Sequence, residues 1–286
     1  MPDFANIDVI RTVLKRHGFT FEKSMGQNFL TDPTVCPQMA ELCGADVHSG
    51  VIEIGAGIGV LTKELSARAK KVVSIELDTR LLPVLAETLT DCRNTEIINA
   101  DVLKTDLRAL LDEHLPGMPV FVCANLPYYI TSPVLLYLLE NELPLKAITV
   151  MVQREAADRL CAAVGTRDAG AITVAVNYYA TVEKLFDVPR TAFMPAPNVD
   201  SAVIRLTLRD APPIAVEDKA FFFDVVRAAF SQRRKTAANG LSSGLSLPKD
   251  AVNAALTAAA LSPTVRAEAL TMEQLAALTG ELYKLK

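Results

Sequence analysis

The chain has 286 residues, half of them hydrophobic, and a formal net charge of −4 at pH 7. No apolar run reaches the roughly 20 residues needed to span a bilayer, and the first residues lack the apolar core of a signal peptide, so we expect a soluble, cytoplasmic protein. The five cysteines form no C-x-x-C pair and are odd in number, so neither disulfides nor a zinc site is expected.

In chain order, the first two thirds alternate short apolar runs with segments long enough for helices. The runs are rich in Val and Ile, which is typical of buried strands. They are VIEIG (51–55), KVVSIELD (71–78), TEIINAD (95–101), PVFVCAN (119–125) and KAITVMV (146–152). This alternation of strand and helix segments predicts an α/β fold with a doubly wound, mostly parallel sheet.

The pattern changes in the last third of the chain. The segment ATVEKLFDVPRTAFMPAPNVDSAVIRLTLRD predicts two strands joined by a proline-rich loop, a hairpin that can extend the sheet. After it come Ala- and Leu-rich helical patterns without strand candidates. We therefore predict two domains, an α/β domain at 1–209 and a small all-helical domain at 210–286.

Three successive strand ends carry residues suited to a nucleoside. Ligands of open α/β sheets bind beyond the carboxyl ends of the strands. After the first strand, Gly55 and Gly57 allow a tight turn into a helix, and Glu76 ends the second strand, where an acid accepts from ribose hydroxyls. Asp101 ends the third and can accept from an exocyclic amine. The G-x-G-x-G turn favours S-adenosylmethionine over NAD.

The fourth strand ends in the tetrapeptide NLPY, which is typical of enzymes that methylate a planar amino nitrogen. The Asn125 side-chain oxygen and the Leu126 carbonyl can accept from the amino group, which localises the nitrogen lone pair. Pro127 stiffens the turn, and Tyr128 offers a face for base stacking worth about 1–3 kcal/mol. The same type of tetrapeptide also occurs in enzymes that methylate DNA adenine or a protein glutamine amide.

The chain resembles the ribosomal RNA adenine N6-dimethyltransferase family, and most closely its bacterial small-subunit branch. The motifs that carry the resemblance lie between Lys23 and Thr236. They are KSMGQNFLTD, VIEIGAGIGVLT, VVSIELD, INADVLK, ANLPYYITSPVL, VQREAADRL, AFMPAPNVDSAVIRL and AFSQRRKT. The resemblance implies a Rossmann-like methyltransferase domain with a seven-stranded sheet, and dimethylation of two adjacent adenosines in the loop of the 3′-terminal hairpin of 16S rRNA.

The resemblance also implies roles for individual residues. Phe193 would form the second aromatic wall around the target adenine, opposite Tyr128. The cofactor contacts would come from Asn28, Leu30, Gly55, Glu76, Asp101 and Asn125. RNA phosphates would be held by Arg233, Arg234 and Lys235 of the FSQRRKT segment, with Arg11, Lys15, Arg16 and Lys23 as further candidates. No metal is implied, and we expect a monomer that acts on an immature small ribosomal subunit.

Two other functions remain open at this point. A member of the Erm branch would dimethylate a large-subunit adenine; the GQNFLTD and FMPAPNVDSAV segments favour the small-subunit branch. The other possible function is that of a non-catalytic assembly factor that occupies the immature small subunit.

Overall fold

The computed structural model describes residues 7–20, 28–232 and 234–285. Nine strands are present within these ranges. They are β1 (Phe29–Leu30), β2 (Gly50–Ile54), β3 (Lys71–Glu76), β4 (Thr95–Asn99), β5 (Val120–Asn125), β6 (Leu145–Gln153), β7 (Ala180–Val188), β8 (Phe193–Met194) and β9 (Ser201–Leu208).

Twelve α-helices alternate with and follow these strands in the described part of the chain. They are α1 (Ile7–Arg16), α2 (Val35–Leu42), α3 (Val60–Ser66), α4 (Leu82–Thr88), α5 (Leu107–His114), α6 (Thr131–Glu140), α7 (Arg154–Leu160), α8 (Ala171–Tyr179), α9 (Lys219–Phe230), α10 (Ala237–Gly244), α11 (Lys249–Ala258) and α12 (Met272–Tyr283).

Seven strands form one sheet in the order β4-β3-β2-β5-β6-β9-β7. The pairs from β4 to β6 are parallel, and β9 is antiparallel to β6. Every residue of β2 is buried, as expected for a parallel strand covered by helices on both faces. The sheet confirms the predicted α/β class, including the antiparallel extension at its end.

The strand order reverses beside β2. The chain proceeds from β2 through β3 to β4 on one side, and then returns to β5 and β6 on the other. Such a reversal opens a crevice at the carboxyl ends of the central strands, since neighbouring connections leave in opposite directions. The functional site is therefore expected beyond β2, β3 and β5.

A separate two-stranded sheet pairs β1 with β8 in antiparallel register. Phe29 is the partner of Met194, and Leu30 is the partner of Phe193. The Thr31 N–H extends the connection by donating to the Ala192 carbonyl at 2.8 Å. These contacts join Phe29–Thr31 to Ala192–Met194, although the two segments lie far apart in the sequence.

The chain divides into two compact units. The first consists of Met1–Ala157 with Val182–Leu208, and the second of Asp158–Thr181 with Arg209–Lys286. The sequence predicted one boundary at residue 210, whereas the packing adds Asp158–Thr181 to the helical unit. The reason is a long-range aromatic contact: in α8, the Tyr179 ring stacks on Phe223 of α9 with centroids 5.6 Å apart. The two domains at 1–209 and 210–286 stay a prediction.

Candidate active site

One cavity lies at the carboxyl ends of β2, β3 and β5, within the first unit. It brings together every residue that the sequence proposed for catalysis and cofactor binding. These are Asn28, Leu30, Gly55, Gly57, Glu76, Asp101, Asn125, Leu126, Pro127, Tyr128 and Phe193. Their convergence follows from the parallel order of the strands, because each motif lies just beyond a strand end or in the β1–β8 sheet.

The glycine turn uses conformations that favour glycine. Gly55 has a φ of 81° and Gly57 a φ of 57°, both in the left-handed region. A Cβ at Gly55 would have only the Asn125 backbone oxygen within 4 Å, at 3.9 Å. The backbone at Gly55 is thus open to the cavity, and a ligand can approach it closely.

Glu76 ends β3 and holds the glycine turn in place. One carboxylate oxygen accepts from the Gly57 N–H at 2.9 Å, and the other accepts from the Asp78 N–H at 2.8 Å. Burial raises the pKa of the Glu76 carboxyl, while these two hydrogen bonds oppose that rise. A carboxylate has further lone pairs, so Glu76 can still accept from the hydroxyls of a ligand.

Asp101 lies two residues after the end of β4 and lines the same cavity. Its carboxylate accepts from the Leu103 N–H at 3.1 Å, and its second oxygen lies 3.4 Å from Lys104 Nζ. The side chain is 29% exposed. It therefore remains accessible to a hydrogen-bond donor entering the cavity.

The NLPY turn begins at Asn125, the last residue of β5. Leu126 is buried, and the Pro127 carbonyl accepts from the Ile130 N–H at 3.1 Å, which closes a 3₁₀ turn over Tyr128–Ile130. The Tyr128 hydroxyl lies 2.7 Å from the Ser201 hydroxyl of β9. Burial raises the pKa of Tyr128, so its hydroxyl stays protonated at neutral pH.

Phe193 belongs to β8 and is only 5% exposed. Its backbone pairs with Leu30, and its side chain packs in the core cluster that contains Leu30, Met39 and Cys123. It also lines the cavity, so a packing role and a role at the site are both compatible with its position.

Glu53 is a fully buried acid for which the sequence suggested no role. It lies in β2, and one of its carboxylate oxygens accepts from the Thr62 hydroxyl of α3 at 2.6 Å and from the Ser74 hydroxyl of β3. Its other oxygen is buried without a hydrogen-bond partner. Burial raises the pKa of Glu53 to about 7. A glutamate inside the otherwise apolar run VIEIG was the available signal.

Further cavity residues directly follow residues that the sequence singled out. Leu77 comes after Glu76 and is 50% exposed, and Tyr129 comes after Tyr128 and is 58% exposed. Both side chains therefore offer apolar surface to a molecule that enters the cavity. Adjacency to a motif residue was the signal that could have identified them.

The amino-terminal helix α1 packs against residues of the glycine turn. Ile10 and Leu14 of α1 share a core cluster with Phe29, Ala56 and Ile58. Arg16, the last residue of α1, and His17, which follows it, both contact the Glu87 carboxylate of α4. The distance from His17 Nε2 to Glu87 Oε2 is 2.7 Å, and the Arg16 guanidinium donates to Glu87 Oε1. Because Arg16 is paired in this way, it is a weaker candidate for a phosphate contact; Lys23 lies outside the described residues.

The second unit contains a basic cavity of its own. Arg234 and Lys235, two of the predicted RNA-binding residues, line it and are exposed. Arg159, Arg167 and Arg266 line the same cavity. Arg233, the third predicted residue, lies outside the described residues. The sequence did not reveal that these arginines converge, since they come from three distant segments.

The part of the chain that the structure describes contains no helix long and apolar enough to cross a membrane. Within the same residues, no three His, Cys, Asp or Glu side chains are grouped so that they could share a metal ion.

Comparison with known proteins finds relatives that match nearly the whole chain. The profile of a family described as "Ribosomal RNA adenine dimethylase" matches residues 18–284. The protein named "Ribosomal RNA small subunit methyltransferase A" from Geobacillus sp. (strain WCH70) is 48% identical over 284 residues, covering 98% of each chain. The protein of the same name from Geobacillus thermodenitrificans (strain NG80-2) is 48% identical over 287 residues, covering 99% of this chain and 98% of the relative.

Two solved structures share the fold over most of the chain. The 23S rRNA methyltransferase ErmE has a TM-score of 0.66 and 29% identity, covering 90% of this chain and 100% of its own. A dimethyladenosine transferase from Plasmodium falciparum has a TM-score of 0.72 and 25% identity, covering 90% of this chain and 98% of its own.

Proposed function

Because the chain belongs to the ribosomal RNA adenine dimethylase family, we propose that it dimethylates N6 of two adjacent adenosines in the 3′-terminal hairpin loop of 16S rRNA. S-adenosylmethionine is the proposed methyl donor. The observation that carries the proposal is that the NLPY turn, the glycine turn, Glu76 and Asp101 line one cavity. We propose that the enzyme acts as a monomer in the cytoplasm, on an immature small subunit.

The residues at one end of the cavity fit a nucleoside-bearing cofactor. The open space over Gly55 admits a ligand close to the backbone, and Glu76 and Asp101 offer carboxylate acceptors for ribose hydroxyls and for an adenine amine. Asn28 and Leu30 line the same cavity and would hold the methionine end. S-adenosylmethionine supplies an electrophilic methyl group on a sulfonium.

The residues of the NLPY turn prepare the acceptor nitrogen. The lone pair of an adenine amine is delocalised into the ring, so the amine is a weak nucleophile. The Asn125 side-chain oxygen and the Leu126 carbonyl would accept from its N–H groups and localise that pair towards the methyl group. Among the described residues no partner engages the Asn125 amide, which leaves it available for the substrate. After transfer, the positively charged nitrogen releases a proton to solvent.

Tyr128 and Phe193 would hold the target base between them. Both line the cavity, and the Tyr128 ring is fixed through its hydroxyl to Ser201. A loop adenine that has left its stack can regain stacking energy on these rings. A pocket of this kind holds the base through its faces, so it can also hold the monomethylated intermediate for the second transfer.

The small-subunit substrate is supported by the relatives. Proteins named for the small subunit are 48% identical to the chain over nearly its full length, whereas ErmE, which is named for 23S rRNA, is 29% identical. Exposed Arg234 and Lys235 in the basic cavity offer phosphate contacts, although the net charge of the chain is −4.

The proposal is tested by methyl transfer from labelled S-adenosylmethionine to small subunits from cells that lack the dimethylation. Wild type should form N6,N6-dimethyladenosine, and Asn125→Ala should lose at least about a hundredfold in rate, because the amine would lose a positioned acceptor. Asn141→Ala, at the exposed end of α6, is the matched control and should remain active.

Three outcomes would overturn the proposal. Label on large subunits would identify an Erm-type activity. Tight binding to small subunits without transfer by wild type would identify a non-catalytic assembly factor. Equal transfer by wild type and Asn125→Ala would remove the NLPY turn from the chemistry.

A further inference from the structure

Tyr129 presents an exposed aromatic ring at the mouth of the active-site cavity. Tyr129 is 58% exposed, whereas Phe193 in the same cavity is 5% exposed. No stacking with another ring is present among the described residues. A tyrosine ring exposed to this extent contributes little to the core, and at this position it is available to contact a molecule bound in the cavity.

The backbone under this ring is held in place. Tyr129 is the middle residue of the 3₁₀ turn that the Ile130 N–H closes on the Pro127 carbonyl. The turn is anchored on both sides, since Leu126 is 1% exposed and Thr131 is 4% exposed. The ring of Tyr129 is thus presented to solvent from a fixed position, directly after the residue whose ring is tied to Ser201. An aromatic side chain on a fixed backbone loses little conformational entropy when it binds.

We propose that Tyr129 is a second stacking surface, which binds the nucleobase adjacent to the target base. The inference rests on the proposed function, in which the acceptor consists of two neighbouring adenosines. When one base leaves the stack and enters the pocket, its neighbour loses a stacking partner. The exposed face of Tyr129 replaces that partner at the rim of the cavity. Aromatic stacking accepts any base in this position, because every base presents a π-face.

This arrangement explains how one site serves two adjacent targets. Tyr128 and Tyr129 are consecutive, so the pocket and the rim are one residue apart along the turn. When one adenosine occupies the pocket, the ring of Tyr129 offers its neighbour a stacking surface at the rim. Tyr129 is in this view a positioning residue that favours a target base with a neighbouring base to stack on the ring, and it takes no part in methyl transfer itself.

The test couples a protein change to a substrate change. Small subunits are reconstituted with unmethylated 16S rRNA, either intact or with one of the two adenosines replaced by an abasic nucleotide. Initial rates of methyl transfer give kcat/KM for wild type, Tyr129→Ala and Tyr129→Phe. Val47→Ala is the matched control, since Val47 is 67% exposed and does not line the cavity.

We expect Tyr129→Ala to lower kcat/KM about tenfold on intact subunits, mainly through KM, and Tyr129→Phe to stay within about twofold of wild type. On abasic subunits, wild type and Tyr129→Ala should be equal, because the stacking partner is absent from both. The dissociation constant of S-adenosylmethionine, measured by calorimetry, should be unchanged in Tyr129→Ala.

Equal losses on intact and abasic subunits would overturn the inference, as would full activity of Tyr129→Ala on intact subunits. A weakened cofactor affinity in Tyr129→Ala would show instead that the ring contacts the cofactor. If the proposed function is wrong, wild type itself transfers no methyl groups to small subunits. That outcome is distinguishable from the three results above, and it would also overturn the inference.

Discussion

The hydroxyl of Tyr128 lies 2.7 Å from the hydroxyl of Ser201, and this contact ties the NLPY turn to the antiparallel strand β9. Ser201 is fully buried, so the tyrosine is held by a fixed partner. The ring plane of Tyr128 is consequently set before any base arrives, which reduces the ordering cost of stacking.

Ser201→Ala should therefore lower kcat/KM for methyl transfer about fivefold, because one hydrogen bond contributes about 1 kcal/mol. Tyr128→Phe removes the same bond and should give a similar loss. Methyl transfer to small subunits by the two single variants and the double variant measures the coupling.

The double variant should be no worse than either single variant, since both changes remove one interaction. Additive losses would contradict the role assigned to the hydroxyl pair. Thermal unfolding of each variant serves as the control for a general loss of structure.

Glu53 should make the stability of the fold depend on pH. Its pKa is raised from 4.5 to about 7 in the folded state, so the folded chain keeps a proton that the unfolded chain loses. The contribution of this retained proton to the free energy of unfolding is fully present below pH 4.5 and is lost as pH rises through about 7. It amounts to about 3 kcal/mol in total. The free energy of unfolding of wild type, relative to Glu53→Gln, should fall over this range.

Urea unfolding at several values between pH 4.5 and 8 measures this difference. Glu140→Gln, on the exposed side of α6, is the control and should track wild type. Parallel curves for wild type and Glu53→Gln would show that the buried carboxyl does not titrate differently in the two states.

Glu76→Gln should weaken cofactor binding by tenfold or more. The carboxylate accepts from the Gly57 and Asp78 N–H groups, and a glutamine would turn an amide N–H towards one of these donors. Hydrogen bonds to a charged group contribute about 1.5–3 kcal/mol, and the glycine turn loses one of them. Calorimetric titration with S-adenosylmethionine gives the affinity.

The Glu140→Gln control should bind the cofactor like wild type. Unchanged affinity in Glu76→Gln would contradict the placement of the ribose at the end of β3.

The basic cavity of the second unit should determine the salt dependence of binding to the small subunit. Replacing both Arg234 and Lys235 by alanine should lower the slope of log K against log salt concentration by about 2, one for each phosphate contact. Filter binding to unmethylated small subunits at several salt concentrations measures the slope.

The double variant Arg227→Ala/Lys284→Ala removes the same charge from exposed ion pairs with Asp224 and Glu281. Its slope should equal that of wild type. An equal reduction in both double variants would mean that only net charge matters, and not the position of the two side chains.

Much of the site could be predicted from local sequence. The Val- and Ile-rich runs predicted β2 to β6, because strand periodicity and burial are encoded within each segment. Gly55, Glu76, Asp101 and Asn125 each lie beside a strand end, and a parallel sheet necessarily gathers such ends at one edge. The positions of these four residues at the ends of predicted parallel strands were therefore enough to predict that they converge.

The tertiary structure decided what depends on pairing between distant segments. The register of Leu30 with Phe193, the hydrogen bond from Thr62 to Glu53, and the contact of Tyr179 with Phe223 each join residues whose own neighbourhoods give no sign of the partner. Sequence by itself determined the fold class, the residue types at the strand ends and the chemistry they favour, because these follow from local periodicity. The structure decided the division into units, the buried acid and the exposed rim, because burial is a property of the packed chain and not of any segment.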